Sequence, residues 1–181
     1  FDGERQLSGD ERRAILGTVL GDSRFVLSPA FRGAPEKARS AAVAGSHSQK
    51  SGLTLWKLSE LPWLKALPVQ PGRSVVINGR AGEAGPTAPF RSINMRQLKR
   101  LYDLAYREGQ KRLSQHALDA LGPRGLAWLL VDDGCVQKYG PARQNNGSRG
   151  GRLVRDETLV FNLQGFPRAD IDEAAEWFRE H

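Results

Sequence analysis

The chain has 181 residues, 27 of them Lys or Arg and 20 Asp or Glu, for a formal net charge of +7. That length suits one domain or two small halves sharing a core, and 39% apolar with 26% charged residues is an ordinary globular balance. No apolar run approaches the ~18 residues of a membrane span, the single Cys135 excludes a disulfide framework or a cysteine-rich zinc site, and His47, His116 and His181 lack the spacing of a catalytic zinc site.

Residues 8–22 read as a helix, with Ser8 as N-cap and Glu11 completing a capping box. Ala14, Ile15, Leu16, Val19 and Leu20 form its apolar stripe, which ends at Gly21-Asp22. A short strand follows over Arg24 to Leu27, then a Pro/Gly/Ala-rich connection over 28–40, then a strand over Ala41 to His47. Leu53 to Leu61 reads as a helix stopped by Pro62. Val75-Val76-Ile77 has the composition of a buried strand, 79–86 of a turn, and Phe90 to Ile93 of the returning strand. Met95 to Glu108 is strongly amphipathic, with Leu98, Leu101, Tyr102, Ala105 and Tyr106 on one face and Gly109 at its end.

The pattern then restarts. A short helix over His116 to Leu121 breaks at Gly122-Pro123, and the apolar run Leu126 to Val131 ends in Asp132-Asp133-Gly134. A strand begins at Cys135, a basic loop occupies 140–151, a strand lies within Leu153 to Leu163, and Ala169 to Arg179 reads as a helix. The order is helix, two strands, helix, two strands, helix, then helix, two strands, helix. This weak internal repeat predicts an α+β protein of two halves, 1–110 and 111–181, the second shortened by two strands and a helix. Trp56, Trp63, Trp128 and Trp177 read as core, Cys135 as a partly buried strand residue, and His47 and His116 as surface or turn residues.

Charge is unevenly spread. Residues 1–110 carry 17 basic and 10 acidic side chains, and residues 111–181 carry 10 of each. Within the second part, Lys138, Arg143, Arg149, Arg152 and Arg155 fall in an acid-free stretch. Such local surpluses suit a polyanionic partner, nucleic acid first, and equally a basic protein with none.

Two apolar helices deliver carboxylates at their ends: Ile15-Leu16-Gly17-Thr18-Val19-Leu20-Gly21-Asp22-Ser23 and Leu126-Ala127-Trp128-Leu129-Leu130-Val131-Asp132-Asp133-Gly134. Gly17 and Gly21 lie on one face and permit close backbone approach. Packing the helices together would crowd Asp22 and Asp133 at one end, where they repel and where the helix dipoles disfavour anions. A hard divalent cation, Mg²⁺ above all, offsets both effects at an oxygen-only site.

These two segments resemble the motifs of the LAGLIDADG homing endonucleases in their two-motif, single-chain form. ILGTVLGDS is similar to the first motif, and LAWLLVDDG, with Pro123 just ahead, to the second. HSQKSGLTLWKLSEL and FNLQGFPRADIDEAAEWF are familial too, so the resemblance spans roughly residues 10–180. It implies two pseudo-symmetric αββαββα halves joined through the motif helices, each presenting a curved sheet to the DNA major groove, in a monomer. It implies a site-specific double-strand DNA endonuclease, with Asp22 and Asp133 as catalytic acids holding Mg²⁺. Gly21 and Asp132 join them as candidate metal ligands, Asp132 peripherally, and Lys111 is the candidate catalytic lysine. Candidate DNA contacts are Arg24, Gln49, Lys50, Arg73, Arg80, Arg91, Lys138, Arg143, Arg149 and Arg152. Trp128 and Asp132 depart from the usual small residues of the motif.

The same scaffold also serves an RNA maturase acting on its own intron, or a non-catalytic DNA-binding regulator; binding to structured RNA would separate these from a nuclease. No signal or anchor is visible, which predicts an intracellular, DNA-containing compartment. Twenty Arg against seven Lys suggests a GC-rich genome, and so a bacterial cytoplasm before an organelle.

Overall fold

Ser8 fixes where the first helix begins. Its hydroxyl accepts a hydrogen bond from the Glu11 amide at 3.1 Å, and the Glu11 carboxylate accepts one from the Ser8 amide at 2.8 Å, the reciprocal box expected from S-x-x-E. Burial alone would raise the Glu11 carboxyl. Hydrogen bonds from the Ser8 amide, Arg5 and Trp63 outweigh that and hold its pKa below the ordinary glutamate value. Helix α1 (Gly9–Leu20) is buried continuously from Ala14 to Leu20. The computed structural model describes residues 5–21, 23–27, 38–77, 80–138, 157–163 and 165–180.

Four antiparallel strands form the main sheet. β1 (Arg24–Leu27) pairs with β2 (Ala41–Ser48), β2 with β6 (Thr87–Arg91), and β6 with β3 (Lys65–Ala66), in the order β1-β2-β6-β3. The register sorts side chains between two faces. Phe25 lies opposite Val43, and Gly45 opposite Phe90, all on the face that joins the core. Arg24, Ala44, Arg91 and Lys65 are successive partners in one row across the other face.

The core face is covered by α1, by α2 (Leu53–Glu60) and by α3 (Arg96–Ala105), which buries Leu98, Leu101, Tyr102 and Ala105. Each of the two leucines contributes about 1.5–3 kcal/mol by leaving water. The helix expected to reach Glu108 stops at Ala105. Glu108 (φ 53°) and Gly109 (φ 77°) form a tight turn that pairs β7 (Tyr106–Arg107) with β8 (Gln110–Lys111). Two consecutive left-handed residues suit a two-residue hairpin, and that local pairing ends the helix.

Two expectations for 73–86 are corrected. β4 (Arg73–Ile77) and β5 (Arg80–Ala84) form a separate two-stranded ribbon, so residues 80–84 are strand and not turn. Val76 is 74% exposed. In a ribbon of two strands the β-branched residues serve pairing, and their composition imitates a core strand.

Helix α4 (Gln115–Asp133) bends where the sequence predicts a break. Gly122 has φ 55° and ψ −176°, and Pro123 opens the second segment. Strands β9 (Gly134–Lys138) and β10 (Glu157–Phe161) pair next, and α5 (Arg168–Glu180) follows. The carboxylate of Asp170 docks α5: it accepts from Arg112 Nε at 2.7 Å, Arg112 Nη2 at 2.6 Å and the Leu113 amide at 2.9 Å. Trp177 Nε1 donates to Asp119 at 2.8 Å on α4. The predicted succession of helix, strand, strand, helix occurs twice, as α1-β1-β2-α2 and α4-β9-β10-α5. The fold is α+β. Cys135 is exposed on β9 and not partly buried. The basic loop over 140–151 lies outside the described residues.

Candidate active site

The two motif helices pack side by side, and their small residues set the distance. A Cβ on Gly17 would collide with the carbonyl oxygen of Gly125 and come within 3.0 Å of Trp128 Cβ. A Cβ on Gly21 would lie 2.7 Å from Asp132 Cβ. Gly17 meets Gly125 and Trp128, and Gly21, one turn on, meets Asp132, one turn on. The helices therefore run in the same direction and end together. Trp128, an unusual residue for its motif position, turns its ring toward α2, with its centroid 4.5 Å from that of Trp56.

This arrangement brings the ends of both motifs to one place. Asp133 is half-buried at the end of α4, and its carbonyl accepts from the Asn162 amide at 2.8 Å. Asp22 lies outside the described residues, between Gly21 and Ser23. Lys111, on β8, reaches this end: its Nζ donates to the Gly21 carbonyl at 2.9 Å and to the Ser23 carbonyl at 3.2 Å. An ammonium is thereby held against the negative end of the α1 dipole, on the two residues that flank position 22.

Asp132 is placed differently from the peripheral position expected. Its side chain has no solvent exposure, and Lys57 Nζ, equally buried, lies 2.6 Å from Oδ1 and 2.7 Å from Oδ2. The Thr18 hydroxyl donates to Asp132 and accepts from Lys57. Nε2 of His47 stands 3.9 Å from Oδ1. A carboxylate engaged in this way is turned into the protein, behind the helix ends. His47 is correspondingly buried, stacked on Phe90 with centroids 5.8 Å apart, and not a surface residue. His116 is exposed, as expected.

Sequence reading missed Lys57 and Thr18. Lys57 shares a face of α2 with Thr54 and Leu61, both buried. A lysine in the apolar stripe of a short helix, together with one acid more than the motif requires, was the available signal.

The outer face of the sheet carries the basic row. Arg24 and Lys65 are exposed and Arg91 is partly so. Arg24, Val26, Ala44, Ser46, Gln70 and Arg91 are among the residues lining a shallow concavity of about 500 Å³ on this face. Gln49 and Lys50 are exposed in a 3₁₀ turn just beyond β2, and Arg73 is exposed at the start of β4. Arg143, Arg149 and Arg152 lie outside the described residues, as do the side chains of Arg80 and Lys138. Among the described residues no three His, Cys, Asp or Glu side chains cluster as a metal site, and no helix is long and apolar enough to cross a membrane.

Comparison with known proteins agrees with this architecture. No curated protein matches the chain. A solved structure, the homing endonuclease I-WcaI bound to its DNA recognition sequence, is similar with a TM-score of 0.60 and 16% identity, covering 95% of this chain and 67% of that one. The profile of the LAGLIDADG DNA endonuclease family matches residues 12–173. The chain belongs to the LAGLIDADG DNA endonuclease family.

Proposed function

We propose that this protein is a site-specific double-strand DNA endonuclease, acting as a monomer with residues 1–110 and 111–181 as its two halves. The observation that carries the reading is the common end of the motif helices. α1 and α4 run parallel and in contact, so Asp22, two residues past α1, and Asp133, the last residue of α4, are read as one site, with Lys111 bound to the backbone on both sides of residue 22.

The donors there suit a hard divalent cation. They are oxygens, and two carboxylates at adjacent helix C-termini face both mutual repulsion and two unfavourable dipole ends. Asp22 and Asp133 would hold Mg²⁺, with the Gly21 carbonyl at hand. Asp132 is left out of the set, because its side chain is buried against Lys57, with Oδ2 hydrogen-bonded to both Lys57 and Thr18. When bound, Mg²⁺ supplies an activated water and stabilises the oxygens of the scissile phosphate. Lys111 keeps a positive charge where negative charge grows on the phosphate, held by two carbonyls and so needing little reorganisation.

The row Arg24, Arg91 and Lys65 forms the DNA face of the first half, and Gln49, Lys50, Arg73 and Arg80 add further contacts from the 3₁₀ turn and the β4–β5 ribbon. Lys138, Arg143, Arg149 and Arg152 serve the second. Phosphate contacts supply affinity, and the shallow concavity offers Ser46 and Gln70 to base edges.

The test is selection from a randomised duplex library with Mg²⁺ present. A unique cut sequence, severed on both strands, is the expected product. Tight binding to structured intron RNA with no cleavage of any duplex would replace this reading with the maturase one.

A further inference from the structure

At the closest approach of α1 and α4 near the site, Gly17 lies against Gly125 and Trp128, and Gly21 against Asp132. One turn of slippage would move a residue by about 5.4 Å, enough to separate Asp133 from position 22. A directional polar tie at this point adds to the packing in holding the register.

We infer that Lys57 is a positioning residue for the cleavage reaction, acting through Asp132 to set where Asp133 points. Lys57 comes from α2, and its Nζ donates to Thr18 on α1 and to Asp132 on α4, so one ammonium ties three helices at a point directly behind the site. Asp132 and Asp133 are adjacent on α4, about 100° apart around the axis. Fixing the rotation of Asp132 into the interior therefore fixes Asp133 toward the helix ends. The ammonium is further framed by the Phe90 ring at 5.4 Å and the Trp128 ring at 6.0 Å. Gly21 makes the room, since a Cβ there would strike Asp132 Cβ. Replacing a buried ion pair by neutral groups is often neutral or stabilising, and register is the best-attested use of such pairs. A cluster spent on three helices beside a reactive centre fits that use. The inference rests on the functional reading above, and its test separates the two.

The decisive comparison uses the parent, Lys57→Met, and the double variant Lys57→Met/Asp132→Asn. The single change leaves the Asp132 charge buried without Lys57 and lowers the unfolding midpoint. The double change removes both charges, and its midpoint returns to within about 5 °C of the parent. Three quantities are then read on the double variant. Amide exchange over residues 129–134 rises about tenfold or more while the rest of α4 keeps its protection. Cleavage of the selected target with Mg²⁺ falls about 100-fold. DNA affinity is unchanged. Exchange that stays at the parent rate overturns the inference, as does parental cleavage by the double variant. A double variant that does not fold also overturns it, because the pair would then be a determinant of the fold alone. A parent that cuts no DNA, with the exchange change still present, overturns the functional reading and leaves the register role standing.

Discussion

A Cβ on Gly17 of the first motif helix has no room, because the carbonyl oxygen of Gly125 on the second occupies its place. This backbone-to-backbone approach brings the two motif helices side by side. Gly17→Ala must push the helices apart or bend them, at a cost of about 1–3 kcal/mol or more. Thermal unfolding should show a midpoint lower by roughly 2–12 °C for a chain of this size. Gly9→Ala, at the half-buried first residue of α1, where the added Cβ would meet the Arg13 side chain in ordinary contact at 3.6 Å, should leave the midpoint nearly unchanged.

Lys111 spans the Gly21 and Ser23 carbonyls. Lys111→Met keeps the stem and removes the charge. Under single-turnover conditions cleavage should fall by on the order of 10²–10³-fold, as when a preorganised donor is removed, while DNA affinity changes little. Equal losses in affinity and rate would make Lys111 a phosphate contact instead.

Arg24, Arg91 and Lys65 share one row on the outer face. Changing all three to Gln should flatten the log–log salt dependence of DNA binding by up to about 2.7, from roughly 0.9 per phosphate. Changing Arg143, Arg149 and Arg152 should flatten it less, because residues 1–110 hold all of the net positive charge. Filter binding across a salt series decides the order.

Much of this fold is legible in the amino-acid sequence. Ser8 and Glu11, Gly122-Pro123, and the two apolar motif helices announce themselves through local rules, and the structure follows them. Asp132 was not legible. Its partners Lys57 and Thr18 are 75 and 114 residues away in sequence, and no local pattern reports such a contact. Val76 misled in the opposite direction, because a β-branched triplet has the same composition in an exposed ribbon as in a core strand. The end of α3 was overrun because amphipathic spacing continues through Tyr106, whereas the turn at Glu108 and Gly109 wins by backbone geometry.

Asp170 is the acid-sensitive point of the α5 docking. The Arg112 guanidinium, with help from the Leu113 amide, holds its carboxyl below the ordinary aspartate value against the effect of burial. A depressed folded pKa contributes stability above the unfolded value, near 3.9, and loses it as pH falls through the folded one. Asp170→Asn should cost about 1.5–3 kcal/mol at neutral pH. The gap between parent and variant in urea unfolding should close as pH drops below about 4. A gap that holds constant down to low pH would contradict the assignment.

Cleavage by Asp22 and Asp133 acting together requires both carboxylates. The most direct measurement is Mg²⁺-dependent cleavage of the selected target by Asp22→Asn and by Asp133→Asn, with binding followed in parallel. Each variant should bind the target as the parent does, and neither should cut both strands. Double-strand cleavage retained by either one would contradict this joint action.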